Sequence, residues 1–151
     1  RVLRYGFLPD TCGAGKFRGG LSLVRDLQYV GTTPATLQVR SDRRVTLPWG
    51  LAGGEPGARS INTLEPDTPR ERTLPAMVTT AIDTDTVVRL VTPGAGGWGD
   101  PLERDPAMVA DDVGAGKITP KYARRHHGVI VDTTGLVDDA ATRELRAQRS
   151  R

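Results

Sequence analysis

Three kinds of residue in this chain have the chemistry for catalysis or ligand capture. They are Cys12, the adjacent pair His126 and His127, and charged side chains set in glycine-rich loops, above all Arg18, Arg43 and Asp100. Cys12 lies in the run Asp10-Thr11-Cys12-Gly13-Ala14-Gly15-Lys16-Phe17-Arg18-Gly19-Gly20, where Gly15-Lys16 invites a phosphate-loop reading. That reading fails at two positions. A Walker-type loop needs a glycine five residues before the Gly of Gly-Lys, and a Ser or Thr after the lysine to reach magnesium. This chain has Asp10 and Phe17 there, followed by a strand pattern. A tight loop whose Lys16 and Arg18 touch a partner surface or an acidic group fits better. Cys12 has no histidine in a context that suggests pairing, and a lone cysteine beside a turn is usually inert. His126 and His127 point about 100° apart on a helix of 3.6 residues per turn, so they do not jointly grip one metal ion. A capping or surface role fits them better. No other spaced set of His, Asp or Glu resembles a metal site, so no metal ligand is expected in this chain.

The loops that carry the charged candidates have a definite character. Residues 92–106 read Thr-Pro-Gly-Ala-Gly-Gly-Trp-Gly-Asp-Pro-Leu-Glu-Arg-Asp-Pro, which sets Trp98 among glycines and stops at two prolines. A flexible linker is diluted with serine, whereas this pattern permits close backbone approach and one fixed shape. Residues 48–57, Pro-Trp-Gly-Leu-Ala-Gly-Gly-Glu-Pro-Gly, form a second such loop around Trp49. Tryptophan in this setting anchors contacts, so Trp49 and Trp98 are interface candidates on neighbouring parts of one surface. Ser41-Asp42-Arg43-Arg44 follows a strand, a place where an Asp-Arg pair fixes a loop or reaches a ligand carboxylate. Arg18, Arg43 and Asp100 are the candidates for orienting a substrate or phosphate, since all three are charged groups on or beside glycine-rich loops.

These loops need strands and helices to hold them. Residues 1–8 are strand-like, residues 21–30 alternate imperfectly, and residues 35–40 alternate cleanly, with Leu37 and Val39 on one face. The turn residues 31–34 between the last two predict a hairpin. Residues 60–64 form a short strand, and the β-branched run 86–92 delivers the chain into the Trp98 loop. Beyond it, Asp105-Pro106 and Thr119-Pro120 both read as a cap followed by a first-turn proline. They open helices that Gly114 and Gly116, and then Gly128, close. Residues 129–132 read as one more short strand, and residues 138–151 as a surface helix, acidic at its start and basic at its end. Strands first and short helices last predict an α+β, β-rich class with glycine-rich loops.

Composition narrows the function. The chain has 151 residues and a net charge of +3, and its signs are mixed with no basic tract of five or more. The clusters Arg40/Arg43/Arg44 and Arg124/Arg125/His126/His127 lack the aromatic platform that single-strand stacking needs, which argues against nucleic acid. No apolar run approaches the ~20 residues of a membrane span. A single cysteine forms no internal disulfide, and no signal peptide is visible, so a cytoplasmic setting is the simplest expectation. The first residue is Arg1 and it enters a strand directly, which reads as a fragment of something larger.

Taken in order, residues 13–20, Ser41-Asp42-Arg43, residues 48–57 and the Trp98 loop through Asp105-Pro106 resemble the C-terminal part of the hydantoinase B family. That family includes the B-type components of ATP-dependent N-methylhydantoinases, the corresponding part of 5-oxoprolinases, and related components of acetone and acetophenone carboxylases. The likeness runs from Arg1 to Val129-Ile130-Val131 and is less distinctive after Asp132. It implies a segment covering residues 1–132, β-rich to about residue 104 with short helices over 105–127, and a helical tail over 133–151. Members are several hundred residues long, so the chain corresponds to roughly the last quarter or third. The resemblance implies part of an ATP-dependent hydrolase opening a hydantoin or 5-oxoproline ring, or of a related ketone carboxylase. It also implies that ATP-Mg is bound by a partner A-type subunit that phosphorylates the substrate, and that any divalent metal sits in the remainder of the B-type subunit. This segment then binds no cofactor. Its partners are that A-type subunit, the rest of the B-type subunit and a small cyclic amide, and alone it is inactive. The reading from another class is a non-catalytic assembly module whose two Trp loops dock a larger chain. Two positions depart from the family pattern: Ala95 replaces a glycine, and Cys12 stands where Ser or Gly is usual.

Overall fold

The computed structural model describes residues 1–132 and 134–149. Seven strands come first: β1 (Val2–Leu8), β2 (Ser22–Gln28), β3 (Ala35–Arg40), β4 (Ile61–Leu64), β5 (Arg72–Leu74), β6 (Met77–Ile82) and β7 (Val87–Val91). Five of them form an antiparallel sheet in the order β1-β2-β7-β4-β5, and β3 pairs with β6 as a separate ribbon. The two layers meet through Leu37, Val39, Val78 and Ile82 of the ribbon and Leu64, Leu74, Val88 and Leu90 of the sheet. This is the β-rich α+β arrangement that the order of patterns predicts, since half-buried strands must cover one apolar face each.

The expected hairpin of β2 and β3 does not form. β2 lies between β1 and β7, with Tyr5 opposite Arg25 on one edge and Val24 opposite Val91 on the other. Both of its edges are satisfied by backbone pairing with strands from distant parts of the chain, which leaves no edge for β3. Residues 31–34 instead carry the chain from the sheet to the ribbon. The strand expected at 129–132 is also absent as such: only Val131 makes a bridge, to Val137. The backbone there is claimed by helical neighbours. Val129 N donates to Ala123 O, and Ile130 N donates to Thr142 Oγ1 at 3.0 Å.

The helical part packs over the first glycine loop. α1 (Pro106–Gly114) is capped by Asp105, whose carboxylate accepts from Ala107 N at 2.9 Å. α2 (Pro120–Tyr122) is capped by Thr119 and continues into a π turn, Ala123–His127, which Gly128 closes in the left-handed region at φ 61°. α3 (Asp139–Arg149) docks through Arg146, which donates to His127 O at 3.0 Å and Arg104 O at 2.7 Å. The expected extension of this helix to residue 151 lies outside the described residues. Cys12, Ala14, Val109, Ile118, Tyr122, Ala123, Val129 and Val131 form the second core. Among the described residues, no helix is long and apolar enough to cross a membrane.

Candidate functional site

Between the sheet and the helices, three glycine-rich segments interlock by backbone alone. Residues 93–99 run in the middle. On one side Gly13 N donates to Ala95 O at 2.8 Å, and Phe17 and Trp98 exchange bonds at 2.9 and 3.0 Å. On the other, Leu51 N donates to Gly97 O at 2.9 Å and Gly99 N to Leu51 O at 3.0 Å. The outer two segments also meet, with Glu55 N donating to Ala14 O at 2.7 Å. Glycine is required because the backbones approach too closely for a side chain: a Cβ on Gly94 would stand 1.8 Å from Thr11 O, and one on Gly96 1.9 Å from Trp49 O. Ala95 is exposed and has an ordinary φ, so its methyl group fits without strain.

The layer brings the two tryptophan loops together. Leu51 and Phe17 flank Trp98, and Phe17, Leu51, Trp98 and Trp49 are 56, 59, 51 and 61% exposed. The Phe17 and Trp98 rings lie 5.7 Å apart, and the Arg43 guanidinium sits 4.7 Å above the Trp49 ring. Arg43 holds φ 60°, so its backbone is in the left-handed region that places the side chain over that ring.

Arg18 and Asp100 face other partners. Arg18 Nε donates to Asp112 Oδ2 at 2.8 Å, and the same carboxylate receives Arg104 at 2.8 Å and Lys117 at 3.2 Å. Burial opposes ionisation of Asp112. The hydrogen bond and charge of Arg18, with Lys117 and Arg104, overcome it and hold the carboxyl below its usual range. Asp100 accepts from Leu102 N at 2.8 Å and caps a 3-10 turn, Pro101–Glu103. Arg18, Arg43 and Asp100 therefore each engage a different group: a buried carboxylate, an indole ring and a turn.

A cleft of about 400 Å³ opens where the glycine layer meets α2, lined by Asp10, Cys12, Glu55, Tyr122, Arg125 and His126 among others. His126 Nδ1 lies 2.5 Å from Glu55 Oε2, and the Tyr122 ring stacks on the imidazole at 4.2 Å. Tyr122 donates its hydroxyl to Cys12 O at 2.6 Å. Burial raises both the Tyr122 and the Cys12 pKa, so the thiol is protonated as well as covered, the reverse of an activated nucleophile. His127 turns away and donates Nδ1–H to Pro101 O at 3.1 Å. Burial lowers its pKa to about 4, and it is neutral. The Glu55–His126 pair was not legible in the sequence, because its members are 71 positions apart and only the interlocked loops bring them together. Among the described residues, no group of three His, Cys, Asp or Glu is placed to hold a metal ion.

Comparison with known proteins places this architecture. The family model described as hydantoinase B/oxoprolinase matches residues 1–101. A putative D-/L-hydantoinase of Pseudomonas sp. (strain NS671) has a B-type component that is 30% identical over 148 positions, covering 97% of this chain and 25% of the relative. The β component of the caprolactamase of Pseudomonas jessenii is 33% identical over 156 positions, covering 97% of this chain and 26% of the relative. The crystal structure of the ATP-dependent caprolactamase of that organism superposes with a TM-score of 0.82 at 31% identity, over 96% of this chain and 26% of that one. The chain thus spans about a quarter of the length of these two curated relatives. With the match covering the sheet, the ribbon and the whole glycine layer, the chain belongs to the hydantoinase B/oxoprolinase family.

Proposed function

We propose that this chain works as a segment of a B-type subunit in an ATP-dependent hydrolase of cyclic amides, such as a hydantoin or 5-oxoproline. The observation that supports this most is its near end-to-end likeness to subunits of a hydantoinase and a caprolactamase. ATP-Mg sits on a partner A-type subunit, which phosphorylates the amide oxygen and makes the ring carbon a better electrophile for water. Any divalent metal is held by the remainder of the B-type subunit, as the family resemblance implies. The role of this segment is to present a rigid surface. The interlocked backbone fixes Phe17, Leu51, Trp98 and Trp49 at high exposure, and the occupant of that surface is the remaining B-type chain.

Co-expression of the tagged chain with an A-type subunit and the rest of a B-type subunit tests this reading. The expected result is a stoichiometric complex that loses this chain when Trp49 and Trp98 are both changed to alanine. A chain that purifies alone, or a complex indifferent to the double substitution, overturns it.

A further inference from the structure

A second cleft, of about 430 Å³, lies between the five-stranded sheet and the β3–β6 ribbon. Its apolar wall includes Leu37, Val39, Leu90 and Pro93, and its charged groups are Arg25, Arg40 and Asp42. Arg25 is in the interior strand β2, opposite Leu90 of β7, so its side chain leaves the sheet on the ribbon side where Leu90 packs. Its Nε is shut away from solvent with no hydrogen-bond partner among the described residues. Nor does any ion pair tie Arg25, Arg40 or Asp42 to a neighbour among them. The neighbouring polar groups, by contrast, are satisfied: Asn62 Nδ2 donates to Ser41 Oγ at 2.7 Å, and Ser60 Oγ donates to Asp42 O at 2.5 Å.

A guanidinium partly withdrawn from water and given no acceptor is unfavourable until an acceptor arrives. The planar guanidinium fork matches a carboxylate, and a concave, mostly apolar site with a few converging polar groups is the form small-molecule sites take. The unpaired Arg25 guanidinium and the unpaired Asp42 carboxylate complement a molecule with a carboxylate, a short apolar body and an N–H. We propose that this cleft binds a small amino-acid-like carboxylate, with Arg25 taking the carboxylate, Asp42 the N–H, and Leu37, Val39 and Leu90 the hydrocarbon. Hydrolysis of a cyclic amide bond yields one carboxylate and one nitrogen-bearing end, so the cleft is suited to retaining a ring-opened product or a carboxylated ring. That link rests on the function proposed above, while the binding itself does not.

Isothermal titration of the protein, in the assembly with which it purifies and without ATP, separates the two. The probes are 5-oxoproline, pyrrolidin-2-one as the same ring without its carboxylate, and inorganic phosphate. The expected result is saturable binding of 5-oxoproline only, weakened at least tenfold by Arg25→Met. Asp42→Asn, at an exposed position just beyond β3, weakens it several-fold and serves where the Arg25 variant does not fold. No saturable heat, as when a segment of another chain fills the cleft, overturns the proposal. So does equal binding of the lactam or phosphate, or an affinity unchanged in folded Arg25→Met and in Asp42→Asn. Because no turnover is read, a failed hydrolase assignment leaves this outcome unaffected.

Discussion

Individual residues in the glycine layer act through what they lack. The central segment is held on both flanks by backbone hydrogen bonds, and the methyl of an alanine at position 96 would stand 1.9 Å from Trp49 O. No rotamer relieves that contact, because both groups are fixed to the backbone. Gly96→Ala is expected to destabilise the fold by about 3 kcal/mol or more, the upper range for overpacking. The neighbouring change Ala95→Gly removes an exposed methyl and costs about 1 kcal/mol at most, through the unfolded chain. Urea unfolding of the two variants checks the contrast; similar losses from both would mean that the layer yields. The sequence made the special character of this loop legible through its glycines, and it marked Arg18, Arg43 and Asp100 as charges on such loops. Their partners were hidden by distance along the chain: the carboxylate that holds Arg18 is 94 positions away, and pairing across such a gap leaves no local pattern.

Elements were legible where a local rule sets them. Asp105-Pro106 and Thr119-Pro120 announce helix starts because cap and proline act within one turn, and both helices begin there. β5 and β6 escaped notice, since Arg72–Leu74 is three residues long and Met77–Ile82 carries threonines on a mostly exposed surface. The β2–β3 hairpin fails for a related reason: a turn between two strands specifies proximity in sequence, whereas both edges of β2 are taken by β1 and β7. The π turn that follows α2 makes a pH-sensitive joint. His127 is wholly buried and neutral, and its pKa of about 4 lies below the roughly 6.5 of an unfolded chain. Below that unfolded value the unfolded chain takes up a proton that the folded chain refuses. The associated stability is complete above about pH 6.5 and is lost as pH falls toward 4, by about 3 kcal/mol in all. Urea midpoints measured from pH 7 to 4.5 should show this decline, and His127→Leu should flatten it. A slope unchanged in that variant would assign the loss to other groups.

At the scale of the molecule, the sheet and the helical cap flank one backbone layer whose exposed aromatic and apolar side chains face outward, while the ribbon packs on the sheet. The family was legible from four ordered motifs, because glycines that permit backbone contact cannot be exchanged freely and so keep their spacing. That resemblance carried the reaction class, and what no residue here separates is the cyclic-amide hydrolase from the related ketone carboxylase. The central claim is that this chain acts only within an ATP-dependent cyclic-amide hydrolase. The most direct measurement is ATP-dependent ring opening of hydantoin, 5-oxoproline and caprolactam, comparing the 151-residue chain alone with its complex with an A-type subunit and the rest of a B-type subunit. The account predicts turnover of at least one substrate by the complex, strictly dependent on ATP, and none by the chain alone. Turnover by the chain alone, or a fully assembled complex that opens none of the three rings, would contradict it.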